Sequence, residues 1–97
     1  SMLYGGVYRA NLAIKNIPGI SMDASVKNRL LGEALFLRGY YYFKLWDFFG
    51  GVPLYDQPMN FDDAYKARNS EEDVYKFIVK DLTDAYNALP GSCRGQG

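Results

Sequence analysis

Residues 23–50, DASVKNRLLGEALFLRGYYYFKLWDFFG, hold most of the large apolar side chains in one long helical pattern. Placed at about 100° per residue around a helix, they gather Arg29, Glu33, Tyr40, Lys44 and Asp47 into a narrow wedge. Leu30, Leu31, Ala34, Leu35, Tyr41, Tyr42, Phe43, Leu45, Trp46, Phe48 and Phe49 occupy the rest of the circumference. A helix apolar nearly all round is one enclosed by neighbours. The pattern therefore predicts a central helix with that wedge as its only face for water. Its charged interruptions exclude a membrane span, which needs about 20 predominantly apolar residues in a row.

Two features of this helix are informative. Gly32 and Gly39 fall on one side with the start of the Trp46 face. Each costs roughly 1 kcal/mol of helix propensity against alanine, so close approach of another helix is the expected compensation. Arg38 projects from the apolar arc among Leu31, Leu45 and Phe49. An unpaired guanidinium there would cost several kcal/mol. A carboxylate or backbone carbonyls should face it, and a structural brace is preferred to a ligand-binding arginine because buried charges are normally paired.

The 97 residues suit one small domain or part of a larger one. Hydrophobic residues make up 48% and aromatic residues 16%, far from the disordered range. Eleven basic residues balance eleven acidic ones, with no basic stripe of the kind nucleic acid demands. The chain has no His and one Cys, Cys93. This removes histidine acid–base catalysis, Ser-His and Cys-His nucleophiles and Cys/His zinc sites. The acidic pairs Glu71-Glu72, Asp62-Asp63 and Asp81 with Asp84 could suggest metal or glycosidase carboxylates. Each fits a solvated helix face, a cap or a loop better. The reading is a non-enzyme with no cofactor.

Outward from the central helix, residues 3–17 repeat apolar positions at Leu3, Val7, Ala10, Ile14 and Ile17, with Asn11 and Lys15 opposite. This predicts a helix stopped by Pro18-Gly19. Asp23 or Ser25 is placed to cap the central helix, and Gly50-Gly51 to end it. Residues 52–55, VPLY, suit an edge strand or an extended loop. Residues 59–69 read as a loop pinned by Phe61 and Tyr65. Ser70 followed by Glu71, Glu72 and Asp73 announces a helix. Val74, Ile78, Leu82, Ala85 and Leu89 form its apolar face down to Pro90. Ser1-Met2 reads as a tag remnant, 3–90 as the helical unit, and 91–97, GSCRGQG, as a disordered or foreign tail.

Ala13 to Pro18 and Ala85 to Pro90 share an Ala-x4-Pro ending, 72 positions apart. That is close to twice the tetratricopeptide period of about 34 residues, whose repeats end similarly. The full repeat signature is absent. The fold expected is all-α, a tetratricopeptide-like antiparallel helical stack with a short extended segment. Tyr40, Tyr55, Phe61 and Tyr65 fall outside the clearest core and are the candidates for stacking on sugar faces; loop anchoring is the plainer role for them.

The run Gly32-Glu33-Ala34-Leu35-Phe36-Leu37-Arg38-Gly39-Tyr40-Tyr41-Tyr42-Phe43, then Phe49-Gly50-Gly51-Val52-Pro53-Leu54, then Asp81-Leu82-Thr83-Asp84-Ala85 to Leu89-Pro90, resembles the SusD/RagB family. These are outer-membrane nutrient-binding lipoproteins. The resemblance covers most of residues 3–90 and implies a tetratricopeptide-like scaffold at the cell surface. It also implies lipid anchoring through a cysteine outside this chain, glycan or other oligomeric nutrient as ligand, and a SusC-type TonB-dependent transporter as partner. Arg38 matches the family's FLR motif; no glycan-contacting residue is carried over. The other class of function left open is a helical module for protein–protein contact.

Three helices cannot cover a helix apolar almost all round, and repeat units normally bury their faces by stacking. Surface left over predicts a homo-oligomer through Trp46 and the Phe48-Phe49 pair.

Overall fold

The computed structural model describes residues 2–58 and 67–89, and among them the chain is helical with no strand. Helix α1 spans Met2–Asn16, α2 Ala24–Phe49 and α3 Glu71–Ala88, and a 3₁₀ turn, Ile17–Gly19, follows α1. The expected boundaries hold to within a residue or so. The loop expected at 59–69 lies outside the described residues up to position 66, Phe61 and Tyr65 included, as do the tail at 91–97 with Cys93 and Ser1.

Local chemistry explains each end. Pro18 enters the 3₁₀ turn instead of extending α1. The Asp23 carboxylate accepts from the Ser25 N–H at 3.1 Å and caps α2. At the far end Gly50 takes φ 73°, where a side chain would be strained, and donates to the Trp46 carbonyl at 2.8 Å. The Ser70 hydroxyl accepts from the Asp73 N–H at 3.1 Å, and Glu71, Glu72 and Asp73 place negative charge at the positive end of α3.

α2 is the middle element and packs against both α1 and α3. Both pairs run antiparallel: Arg38 meets Asn11 while Lys27 reaches Pro18, and Trp46 meets Glu71 while Gly32 meets Leu89. The two glycines do what their spacing foretold. A Cβ at Gly32 would stand 2.8 Å from the Leu89 side chain, and one at Gly39 would stand 3.1 Å from Asp81 Cβ. Gly6 of α1 makes another close approach, against the ring of Tyr41.

The core lies at the Tyr42 level of α2, where Val7, Leu45, Val52, Val74 and Ile78 surround a fully buried Tyr42. Burying each such side chain contributes about 1.5–3 kcal/mol. Tyr4 and Phe77 meet the Tyr42 ring edge-on at 6.2 and 5.2 Å.

The segment after Gly51 is an extended strap across these helices, not a strand. Asn69 N–H donates to the Val52 carbonyl at 3.0 Å, and the Leu54 N–H donates to Asn69 Oδ1 at 3.2 Å. The Tyr4 hydroxyl donates to the Pro53 carbonyl, and the Tyr42 oxygen accepts from the Tyr55 N–H at 2.7 Å. Side chains from two helices thus satisfy much of the backbone polarity that a sheet would otherwise satisfy.

One expectation is overturned. α2 is not enclosed: Phe36, Leu37, Tyr40, Phe43, Phe48 and Phe49 are exposed, and the charged wedge is not its only wet face. A helical wheel records what a face is made of, and two neighbouring helices can cover only two sides of a third.

The phenols of half-buried Tyr4 and fully buried Tyr42 set an alkaline limit. Burial pushes the Tyr4 phenol up to about 12 and the Tyr42 phenol higher still, against an ordinary value near 10. Below pH 10 both the folded and the unfolded chain hold these protons, so stability is unaffected. Above it the unfolded chain releases protons that the folded chain keeps, and stability falls as pH rises toward the folded values. Urea unfolding at half-unit steps should give a midpoint that begins to drop near pH 10 and is still dropping at pH 12. A midpoint constant over that window would contradict the burial of Tyr42 and the half-burial of Tyr4.

Candidate functional site

Arg38 lies in the middle of α2, and its guanidinium is the centre of a buried polar cluster. The side chain turns between α1 and α3, where the residue is 8% exposed. Its Nε and one terminal nitrogen donate to the two oxygens of Asp81, each at 2.7 Å. The other terminal nitrogen donates to Asn11 Oδ1 at 2.8 Å and, more weakly, to the Asp56 carbonyl at 3.5 Å. The guanidinium carbon also sits 4.9 Å from the Phe77 ring centre.

Asn11 passes the connection on. Its amide nitrogen donates to the Tyr55 carbonyl at 2.9 Å and the Gln57 carbonyl at 3.1 Å. One cluster thereby joins all three helices and the strap. The planar fork of arginine matches a carboxylate bidentately in a way a lysine could not. Four of its five N–H donors are spent on protein groups, so the chemistry of this site is bracing and not ligand capture.

The expected brace is found, and its partners revise two sequence readings. Asp81 is not on a solvated helix face: it is 2% exposed, while Asp84 stays at the surface and pairs with Lys80 at 2.6 Å. Asn11 is not opposite the apolar side of α1: it is 2% exposed, beside Val7 and Ala10. The signal was the spacing. Ile78, Asp81 and Ala85 fall at i, i+3 and i+7, and Val7, Asn11 and Ile14 at i, i+4 and i+7. A polar residue on an apolar stripe asks for a buried partner.

The four rings offered for sugar stacking part company. Tyr55 is buried, with Tyr4 edge-on to its ring at 5.8 Å. Tyr40 is at the surface, stacked on Phe36 at 6.4 Å and 15°, with the Lys44 ammonium 5.5 Å from its ring centre. Phe61 and Tyr65 lie outside the described residues.

Among the described residues, shallow depressions flank α1. One of about 200 Å³ lies beside the cluster between Asn11, Lys15, Asp56 and Gln57. Another, about 260 Å³, runs between α1 and α2 past Ala10, Leu30 and Ala34. Among the described residues no group of His, Cys, Asp and Glu could hold a metal ion. No helix among them is long and apolar enough to cross a membrane.

Comparison with known proteins places this arrangement. The model of a SusD-like family, described as starch-binding and associating with the outer membrane, matches residues 1–95. SusD-like protein P38 of Formosa agariphila is 39% identical over 88 residues, which is 89% of this chain and 17% of that protein. A laminarin-binding SusD-like protein of known structure superposes with a TM-score of 0.86 at 34% identity, over 91% of this chain and 19% of the other. A SusD-like protein from Bacteroides fragilis gives the same TM-score at 36% identity, over 93% of this chain and 18% of that one. The chain thus spans less than a fifth of the length of each of these relatives.

Proposed function

The chain belongs to the SusD-like family, and from that membership we propose that it is the helical scaffold portion of a cell-surface glycan-binding protein. On this reading the whole protein is lipid-anchored at the outer membrane and passes oligosaccharides to a SusC-type TonB-dependent transporter, binding its ligand without catalysis. The observation that supports a scaffold role is the Arg38 cluster. The arginine of the FLR run is committed to Asp81, Asn11 and the strap, so it holds the stack in shape and leaves glycan contact to other surfaces. The laminarin bound by one relative and the xylogluco-oligosaccharide present with another indicate β-linked glucans as the first ligands to try.

The test is affinity electrophoresis in native gels containing laminarin, xyloglucan or starch, using the protein that carries this chain as its own cells make it. Retardation by at least one glycan, and co-purification of a TonB-dependent barrel from solubilised outer membrane, are the expected results. Unchanged migration in every glycan would overturn the glycan reading.

A further inference from the structure

The strap is fixed in two ways along its length. At its start Val52 belongs to the core and its carbonyl pairs with the Asn69 N–H. Further on, the bonds that fix Tyr55, Asp56 and Gln57 in the cluster come from side chains of α1 and α2: Tyr42 and Asn11 hold Tyr55, Arg38 reaches Asp56, and Asn11 holds Gln57. Irregular backbone held by side chains opens locally, without the cooperative loss that a helix requires.

We infer that residues 55–57 form an element that opens separately from the helices, and that Asp81 of α3 keeps it closed through Arg38 and Asn11. The relay follows from donor and acceptor chemistry. A guanidinium only donates, and a backbone carbonyl only accepts. Asn11 stands between them with one atom of each kind: Oδ1 takes the Arg38 bond at 2.8 Å, and Nδ2 gives to the Tyr55 and Gln57 carbonyls at 2.9 and 3.1 Å. Turned over, the amide would set its nitrogen against a donor and its oxygen against two acceptors. Arg38 therefore fixes which way the amide faces, and the amide fixes the strap.

Arg38 is itself aimed by Asp81. The two carboxylate oxygens take Nε and one terminal nitrogen at 2.7 Å each, which leaves the other terminal nitrogen pointing at Asn11. Without that carboxylate nothing fixes the aim of the fork. Asn11 Oδ1 then loses its donor, and the amide can turn its oxygen toward the strap. Asn11 is thus a positioning residue, and Asp81 acts on the strap at one remove. The coupling is reciprocal: an open strap withdraws acceptors from both Asn11 and Arg38 and so loosens the seat of α3. Asn11, Arg38, Tyr55 and Asp81 are all buried, so the relay does not depend on what else covers the three helices. It stands whether or not the whole protein binds glycan.

Hydrogen exchange followed by mass spectrometry, on the protein that carries this chain, tests both halves. In the unmodified protein, at urea concentrations below the unfolding transition, the strap peptide should exchange at a rate that hardly changes with urea. The peptide around Leu45 in α2 should exchange faster as urea rises, because only large openings expose much surface. Asn11→Asp still accepts from Arg38 but turns a second oxygen on the two carbonyls; strap exchange should rise at least tenfold, with α2 and α3 within about twofold of their starting rates. Asp81→Asn should raise the ratio of strap to α2 exchange at least tenfold. In the Asn11→Asp background the same change should add less than about twofold to the strap, since the relay is already broken. Should a change of charge prevent folding, Asn11→Ala and Asp81→Glu replace the two variants with the same expectations. Strap amides that exchange only when the helices unfold would overturn the inference, as would an Asp81 variant that speeds the strap no more than α2, or speeds it equally with and without Asn11.

Discussion

Arg38→Ala is expected to lower the stability of the folded chain by about 3–5 kcal/mol, the usual cost of removing one partner from a buried ion pair. A domain of this size has roughly 5–15 kcal/mol in all, so the variant should be partly unfolded near physiological temperature. The cost comes from what is left behind. Asp81, 2% exposed, would keep a carboxylate in the interior without the two bonds of 2.7 Å that now satisfy it, and Asn11 Oδ1 would lose its donor. Arg38→Lys should recover part of the loss, because it restores charge but not the fork. A double variant, Arg38→Met with Asp81→Leu, should be less destabilised than either Arg38→Ala or Asp81→Ala, since an apolar pair strands no charge. Urea unfolding followed at 222 nm measures all four. A loss under 1 kcal/mol for Arg38→Ala would mean that the cluster does not hold the helices.

That cluster marks the boundary of what the chain's own pattern reveals. Periodicity assigned faces, and faces were enough to find α1, α2 and α3, their stops at Pro18 and Gly50, and the close approach at Gly32 and Gly39. The need for a partner at Arg38 was legible from its place on an apolar arc. The partner was not, because Asp81 is 43 positions away and sits in a helix whose acidic residues otherwise face water. Pattern ranks the sides of one helix, whereas pairing depends on which side of a second helix arrives. The same limit explains the misreading of α2 as enclosed. Phe43, Phe48 and Phe49 look like core by composition, and only the positions of α1 and α3 show that nothing among the described residues covers them. Tyr40 and Tyr55 show the limit in the site as well: both are tyrosines near the motif, yet one is at the surface and the other is buried in the strap, its backbone held by Asn11 and Tyr42.

Tyr42→Ala is the other change with a large expected effect, about 4–8 kcal/mol, because it combines two losses. Truncating a buried aromatic side chain costs about 3–5 kcal/mol through lost transfer energy and the cavity left behind, and Tyr42 is wholly buried between Tyr4 and Phe77. The same substitution removes the phenol oxygen that accepts from the Tyr55 N–H at 2.7 Å. A buried donor that loses its acceptor costs about 1–3 kcal/mol. Tyr42→Phe separates the terms: the ring stays, and only the second cost of about 1–3 kcal/mol should appear. The strap should report it directly. In Tyr42→Phe the Tyr55 amide is expected to exchange with solvent at least tenfold faster, while the amides of Leu45 and Ile78 in the helices keep the rates set by global unfolding. If Tyr55 exchanges no faster in Tyr42→Phe, the phenol does not hold the strap, and residues 52–58 are kept in place by their other bonds, those to Asn11, Tyr4 and Asn69 among them.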